Sequence, residues 1–169
     1  MSALIIDGRV AADAYVELAD DQTPAGTPCI VPLARWLEQR EALQASGAPI
    51  AVRLPNTAEV GTIWPLLEDR PMIELDFPTF ADGRAYSQAR VLRDRYDYKG
   101  EIRARGGAVV RDQLHNMLRS GINAFALRDD QDVDTCLTAL SDFDLAYQPA
   151  ADRSDMPIVG RLRRRHAAV

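Results

Sequence analysis

The chain has 169 residues, 47% of them hydrophobic and 27% charged, which is enough for one well-buried core without disulfide or metal staples. Its formal charge of −5 opposes general nucleic-acid binding, and no apolar run approaches the ~18 residues needed to cross a bilayer. No basic head precedes a long apolar stretch at the N-terminus, so the expectation is a cytoplasmic protein.

In chain order, ALIIDGRVAADAYVELAD comes first and places Asp7-Gly8 between two strand-like runs. This predicts a small antiparallel β-hairpin laid against the main sheet. DQTPAGTP follows as a loop. Short apolar runs then begin at Cys29 (CIVPL), Ile50 (IAVRL), Met72 (MIELDF), Glu101 (EIRAR), Asn123 (NAFAL) and Asp144 (DLAYQ), spaced by 21, 22, 29, 22 and 21 residues. That spacing fits strand, helix, strand units with parallel pairing and right-handed crossovers.

Between these runs Trp36, Leu37, Arg40 and Leu43 predict one helix face, ended by Gly47 and Pro49. Asn56 with Glu59 resembles a capping box, and Pro65 must kink or restart the helix that follows. Tyr86, Ala89, Leu92 and Tyr96 form an apolar stripe behind the candidate cap Asp82. Val110, Leu114, Met117 and Leu118 do the same before Gly121. Val133, Leu137 and Leu140 follow Asp130, with Asp132 and Asp134 suited to the positive end of a helix.

The fold expected is a single α/β domain over residues 1–150, with a hairpin and loop at 1–28 and βα units at 29–150. Its mainly parallel sheet has about six strands with flanking helices, either Rossmann-like or a partial TIM-type barrel. Residues 151–169 read as a flexible basic tail; its RLRRRH can solubilise, or touch nucleic acid or an acidic protein. Cys29 and Cys136 have no CxxC partner and read as buried small hydrophobes.

Parallel α/β proteins keep their chemistry in the loops leaving the C-terminal ends of the strands. Two such loops stand out. FPTFADGR runs from Phe77 to Arg84 behind Asp76. ARGGAVVRD has Arg105 at a strand end, Gly106 and Gly107 allowing close backbone approach, and Arg111 near a helix start. From Asp82 to Arg119 there are nine cations, including Lys99, the one lysine, against five acids. Helix-start N–H groups, Arg84, Arg105, Gly106, Gly107 and Arg111 together suggest a site for sulfate, phosphate or carboxylate. The bland alternative pairs Arg84 with Asp76 or Asp82, and Arg111 with Asp112 or Glu101.

Glu74 and Asp76 alternate onto one strand face and are the catalytic candidates, since paired carboxylates can do acid–base work. His115 and His166 lie apart, which argues against a metal cluster or histidine triad. No nucleotide-binding or iron–sulfur motif is present, so no cofactor is expected. Phe77, Phe80 and Tyr86, if exposed together, would favour a homodimer or partner surface.

LDFPTFADGRAYSQARVLRDRYDYKGEIRARG, then VRDQL, G..AFALR.DQD and AL.DFD.AYQP, resemble a bacterial family of unknown function. Its members are encoded beside assimilatory sulfite-reduction genes and often carry the label of an oxidoreductase of that process. IIDGRV and VPLARWL fit it as well, so the resemblance spans roughly residues 3 to 150. The residues that match its block are Asp82, Gly83, Arg84, Tyr86, Ser87, Arg90, Arg93, Arg111, Asp112 and Gln113. His115 and Asn116 depart from the aromatic or apolar residues that follow DQL in other members. The resemblance implies a role in sulfur assimilation, with sulfite reductase or another sulfur-assimilation enzyme as a partner. Three readings follow: an accessory protein that binds a small anion or the reductase, an oxidoreductase or electron-transfer component, and a phosphate-ester or nucleotide-binding enzyme.

Overall fold

Asp7 and Gly8 both adopt positive φ, 48° and 74°, the backbone that a type I′ turn needs. They join β1 (Leu4–Ile6) to β2 (Arg9–Ala11) in the expected antiparallel hairpin. The computed structural model describes residues 3–141. Within them the hairpin is followed by β3 (Val16–Glu17), β4 (Cys29–Pro32), β5 (Ile50–Leu54), β6 (Met72–Asp76), β7 (Glu101–Arg105) and β8 (Ala124–Ala126). All eight strands form one sheet in the order β2-β1-β8-β7-β6-β5-β4-β3. Strands β3 to β8 run parallel, and β1 is antiparallel to β8.

The strand number therefore exceeds the six expected. Five of the six apolar runs are strands, while β1, β2 and β3 bring the total to eight. The sixth run, at Asp144, and the basic tail lie outside the described residues.

The helices are α1 (Leu33–Ala45), the short α2 (Val60–Ile63) with a 3₁₀ turn at Trp64–Leu66, α3 (Arg84–Arg90) continued by a π turn at Val91–Arg95, α4 (Arg111–Arg119) and α5 (Val133–Ser141). Because β3 to β8 are neighbours in chain order, right-handed crossovers put the connecting helices on one face. The main core agrees. Trp36, Leu43, Val60, Ala89, Leu92, Leu114, Met117 and Cys136 from the helices pack with Val31, Val52, Leu54, Ile73, Leu75, Ile102 and Phe125 from the strands. A doubly wound sheet reverses its strand order and carries helices on both faces. Among the described residues this sheet does neither.

Instead it curls. A flat eight-stranded sheet would hold its edges about 34 Å apart, yet only residues 12–15 connect β2 on one edge to β3 on the other. That connection can reach about 17 Å. Glu17 of β3 also pairs with Arg105 of β7 at 3.0 Å, across three intervening strands that would separate them by about 19 Å in a flat sheet. Of the two architectures the spacing allowed, the partial barrel is the one formed.

Three local expectations change on packing. In α1, Trp36 and Leu43 are buried but Leu37 is exposed, and Arg35 is buried instead. Arg35 donates to the carbonyls of Leu18, Ala19 and Gln22, so it fastens the loop after β3. The capping box does not form: α2 starts at Val60, and the Asn56 amide donates to Asp82 at 2.6 Å. Phe77 is fully buried with Tyr86 edge-on to it at 5.1 Å, which leaves Phe80 alone on the surface rather than an exposed aromatic stripe. Both cysteines are free and buried. No helix among the described residues is long and apolar enough to cross a membrane.

Candidate functional site

The face of the curled sheet that no described helix covers is the inside of the partial barrel, and its filling follows from strand register. At the level where the strands begin, Ile30, Ala51 and Met72 form a small apolar layer with Tyr15 packed on it. One layer up, Arg53 of β5 stands opposite Glu74 of β6, and Glu74 opposite Arg103 of β7. At the upper end Asp76 stands opposite Arg105. Barrel interiors are usually filled by branched apolar side chains; here the second and third layers are ionic.

Apart from Asp76, these charges are mutually satisfied. Arg53 donates through Nε to Glu74 and through Nη2 to Glu17. Glu17 also accepts from Arg105, and the Arg53 hydrogen bond is the main cause that holds its carboxyl below the usual range. Arg103, 1% exposed, donates to both carboxylate oxygens of Asp13 at 3.0 and 2.9 Å and to Glu101 at 2.8 Å, and its guanidinium lies over Tyr15. Asp13 and Tyr15 belong to the segment that crosses between the sheet edges. Ion pairs thus clamp that crossing to the barrel.

The two carboxylates singled out as catalytic candidates part company here. Glu74 is 2% exposed and held by Arg53. Asp76 instead lines a cavity of about 400 Å³ at the upper ends of β4, β5 and β6, with Pro32, Leu33, Ala34, Leu37, Arg53 and Pro55 as the other walls. This is where an α/β sheet with parallel strands presents ligand sites. A larger depression, about 770 Å³, runs along α1 from Leu37 to Ala42 with Leu66. Its lining comes from one helix and one turn, so no strand end projects a group into it.

The upper rim carries the arginines of the predicted anion site, each beside a carboxylate. Arg84 pairs with Asp82, Arg105 with Glu17, and Arg111 with Asp112. Arg128, in the loop after β8, pairs with Asp130 and also donates to the Gly107 carbonyl. It was not among the expected site residues, although it lies in the G..AFALR.DQD block. The Arg84 side chain and backbone N–H hold the Asp82 carboxyl at about 2, against 3.8 ordinarily. Because the folded value is depressed, the Arg84–Asp82 contact contributes fully above about pH 4 and is lost as pH falls through about 2. A carboxyl-carbon NMR titration should show the Asp82 midpoint near 2; an ordinary midpoint would mean that the contact does not form.

The glycine pair has a local cause. At Gly106 φ is +118° and a Cβ would stand 2.5 Å from the Phe77 carbonyl oxygen; at Gly107 one would stand 2.9 Å from that of Pro78. What approaches these glycines is the β6–α3 loop, fastened by the Ala108 N–H donating to Phe77 at 3.0 Å. The Tyr86 hydroxyl then donates to Gln113, joining the first turns of α3 and α4. Gly106→Ala should therefore cost about 3 kcal/mol and lower Tm by several degrees, since it meets both a backbone collision and a left-handed conformation. A calorimetric Tm equal to that of the parent would contradict this packing.

Among the other expected site residues, Ser87, Arg90 and Asp112 are exposed on their helices, as is Asn116, while His115 is partly buried. Arg93 faces the opposite end of the barrel, where β7 and β8 begin. It donates to the carbonyls of Tyr98, Gly100 and Gly121 and to the side-chain oxygen of Asn123. The missed partner of Glu74 was Arg53; its signal was a charge at an inner position of IAVRL, where a parallel strand covered on both faces reads as continuously apolar.

In comparisons with known proteins, the family model described as "Bacterial protein of unknown function (DUF934)" matches residues 51–158. The match takes in the FPTFADGR and ARGGAVVRD loops but starts after IIDGRV and VPLARWL. No curated protein matches the chain.

Proposed function

The chain belongs to this bacterial family of unknown function, and from that premise we propose that it is an accessory protein of assimilatory sulfite reduction, docking on the sulfite reductase or holding a small anion through its upper rim. The observation that carries this reading is the set Arg84, Arg105, Arg111 and Arg128 on three consecutive βα loops, with side chains 43–59% exposed. Each is paired with a neighbouring carboxylate, but exposed pairs contribute only about 0–1 kcal/mol. A dianion, or carboxylates of a partner surface, can displace them at little cost. Phe80, 64% exposed at the tip of the β6–α3 loop, adds an aromatic anchor of the kind that binding surfaces favour. The link to sulfite reduction comes from the family resemblance of the Asp82–Gln113 block.

The test is capture of partners by the tagged protein from its own cells grown with sulfate as sole sulfur source. Recovery of sulfite reductase, lost with Arg84→Ala/Arg111→Ala, is the expected result. Recovery of no sulfur-pathway protein, together with no thermal shift in millimolar sulfite, sulfate or phosphate, would overturn the reading, because a ligand of the native state must raise stability by mass action.

A further inference from the structure

The geometry points to a second binding site, distinct from the arginine rim: the cavity at the upper ends of β4, β5 and β6 takes a small organic ammonium ion with an aliphatic body, held by Asp76. This goes beyond the accessory role and stands or falls independently of it. Three features choose the ligand.

The first is shape and polarity. The cavity is about 400 Å³ and its walls are Pro32, Leu33, Ala34, Leu37 and Pro55, with Arg53 and Asp76 as the charged groups. That volume is near the low end for small-molecule sites, and apolar walls with a few placed polar groups are their usual construction. Leu37 is 47% exposed, although its place in the first turns of α1 beside Trp36 would allow it to be covered. A ligand's aliphatic body would cover it.

The second is unspent hydrogen-bonding capacity. Arg53 uses Nε on Glu74 and Nη2 on Glu17; among the described residues its Nη1 has no partner. The Asp76 carboxylate has none either, and its Oδ1 lies over the Gly106 Cα side, where a side chain at Gly106 would meet it at 3.1 Å. A half-buried carboxylate without a donor is an incomplete arrangement.

The third is charge. Three arginines, Arg53, Arg103 and Arg105, share the inner face with five carboxylates, Asp13, Glu17, Glu74, Glu101 and Asp76. The first four carboxylates are paired with those arginines, so among the described residues Asp76 is the one left over. A cation completes it, and an anion would add to the excess. The ammonium would donate to Asp76, the aliphatic body would lie on Leu33, Leu37 and the prolines, and any hydroxyl or carbonyl on the ligand could accept from Arg53 Nη1.

The experiment uses the full chain and three probes with one carbon skeleton: 3-methylbutylammonium, 3-methylbutanol and 3-methylbutanoate. Isothermal titration calorimetry is expected to detect the ammonium ion, and to find the alcohol and the carboxylate at least about tenfold weaker. Asp76→Asn should weaken the ammonium ion by at least about tenfold while its ligand-free Tm stays that of the parent. Leu37→Ser, on an exposed position that does not endanger the fold, should weaken it severalfold and serves if Asp76→Asn fails to fold. No binding of the ammonium ion at tens of millimolar, equal binding of the carboxylate, or full affinity in Asp76→Asn would each overturn the proposal. None of these outcomes bears on capture of sulfite reductase by the rim.

Discussion

Arg93→Ala is expected to destabilise the protein by about 4 kcal/mol and to lower Tm by roughly 10 °C. The reason lies in what Arg93 does at the lower end of the barrel. Its guanidinium collects the backbone carbonyls of Tyr98 and Gly100, which lead into β7, and the backbone carbonyl of Gly121 and side-chain Oδ1 of Asn123, which lead into β8. Asn123 in turn accepts from the Ile102 N–H at 2.9 Å and donates to Asp7 in the hairpin turn at 3.1 Å. One side chain therefore ties α3, β7, β8 and β1 together. Removing it orphans several acceptors at once, and each costs about 1–3 kcal/mol when water does not replace the donor. The π turn at Val91–Arg95 adds an extra residue to the helix here, a device frequent at sites where a particular side chain must be aimed. Arg93→Lys should recover less than half of the loss, because an ammonium cannot spread donors in the fork geometry of a guanidinium. Chemical denaturation of the three proteins decides it; a loss under about 1 kcal/mol for Arg93→Ala would mean that the clamp is dispensable.

The second large effect concerns the ionic layer. Glu74→Leu should cost about 3 kcal/mol, whereas Arg53→Met/Glu74→Leu should lie within about 1 kcal/mol of the parent. Glu74 is almost wholly buried and Arg53 mostly so. Removing the carboxylate alone leaves a guanidinium inside the barrel with, among the described residues, only the exposed Glu17 to answer it. Replacing both by apolar groups of similar volume removes the desolvation penalty along with the attraction. A double variant that costs as much as the two single changes together would show that the pair is not coupled and that Arg53 is held by other means. The comparison also separates structure from binding, since Arg53 is a wall of the cavity while Glu74 is not among its lining residues.

Much of the fold could be read from local signals because those signals are local in cause. Asp7-Gly8 announces its turn by the backbone it must adopt, and the regular spacing from Cys29 to Asn123 reflects one strand and one helix per unit. The curl of the sheet was not legible. It depends on Glu17 reaching Arg53 and Arg105, residues 36 and more positions away, and spacing contains no information on which charged strand residues meet. For the same reason Glu74 and Asp76 looked alike in MIELD. Their difference lies in β5, where Arg53 stands opposite Glu74 and the strand ends before Asp76. The Asn56-x-x-Glu59 pattern misled because a capping box competes with tertiary partners, and Asp82 won the Asn56 amide. Gly106 and Gly107 were legible as places of close approach, though what approaches is a neighbouring loop.

The most direct test of the proposed role is a binding titration of the purified chain against the assimilatory sulfite reductase of the same cells, at low and at physiological salt. The expected result is a complex whose Kd rises steeply with salt and by at least about tenfold in Arg84→Ala/Arg111→Ala, as steering by exposed charges requires. Absence of a complex at micromolar concentrations, or an affinity that neither salt nor the double substitution changes, would contradict it.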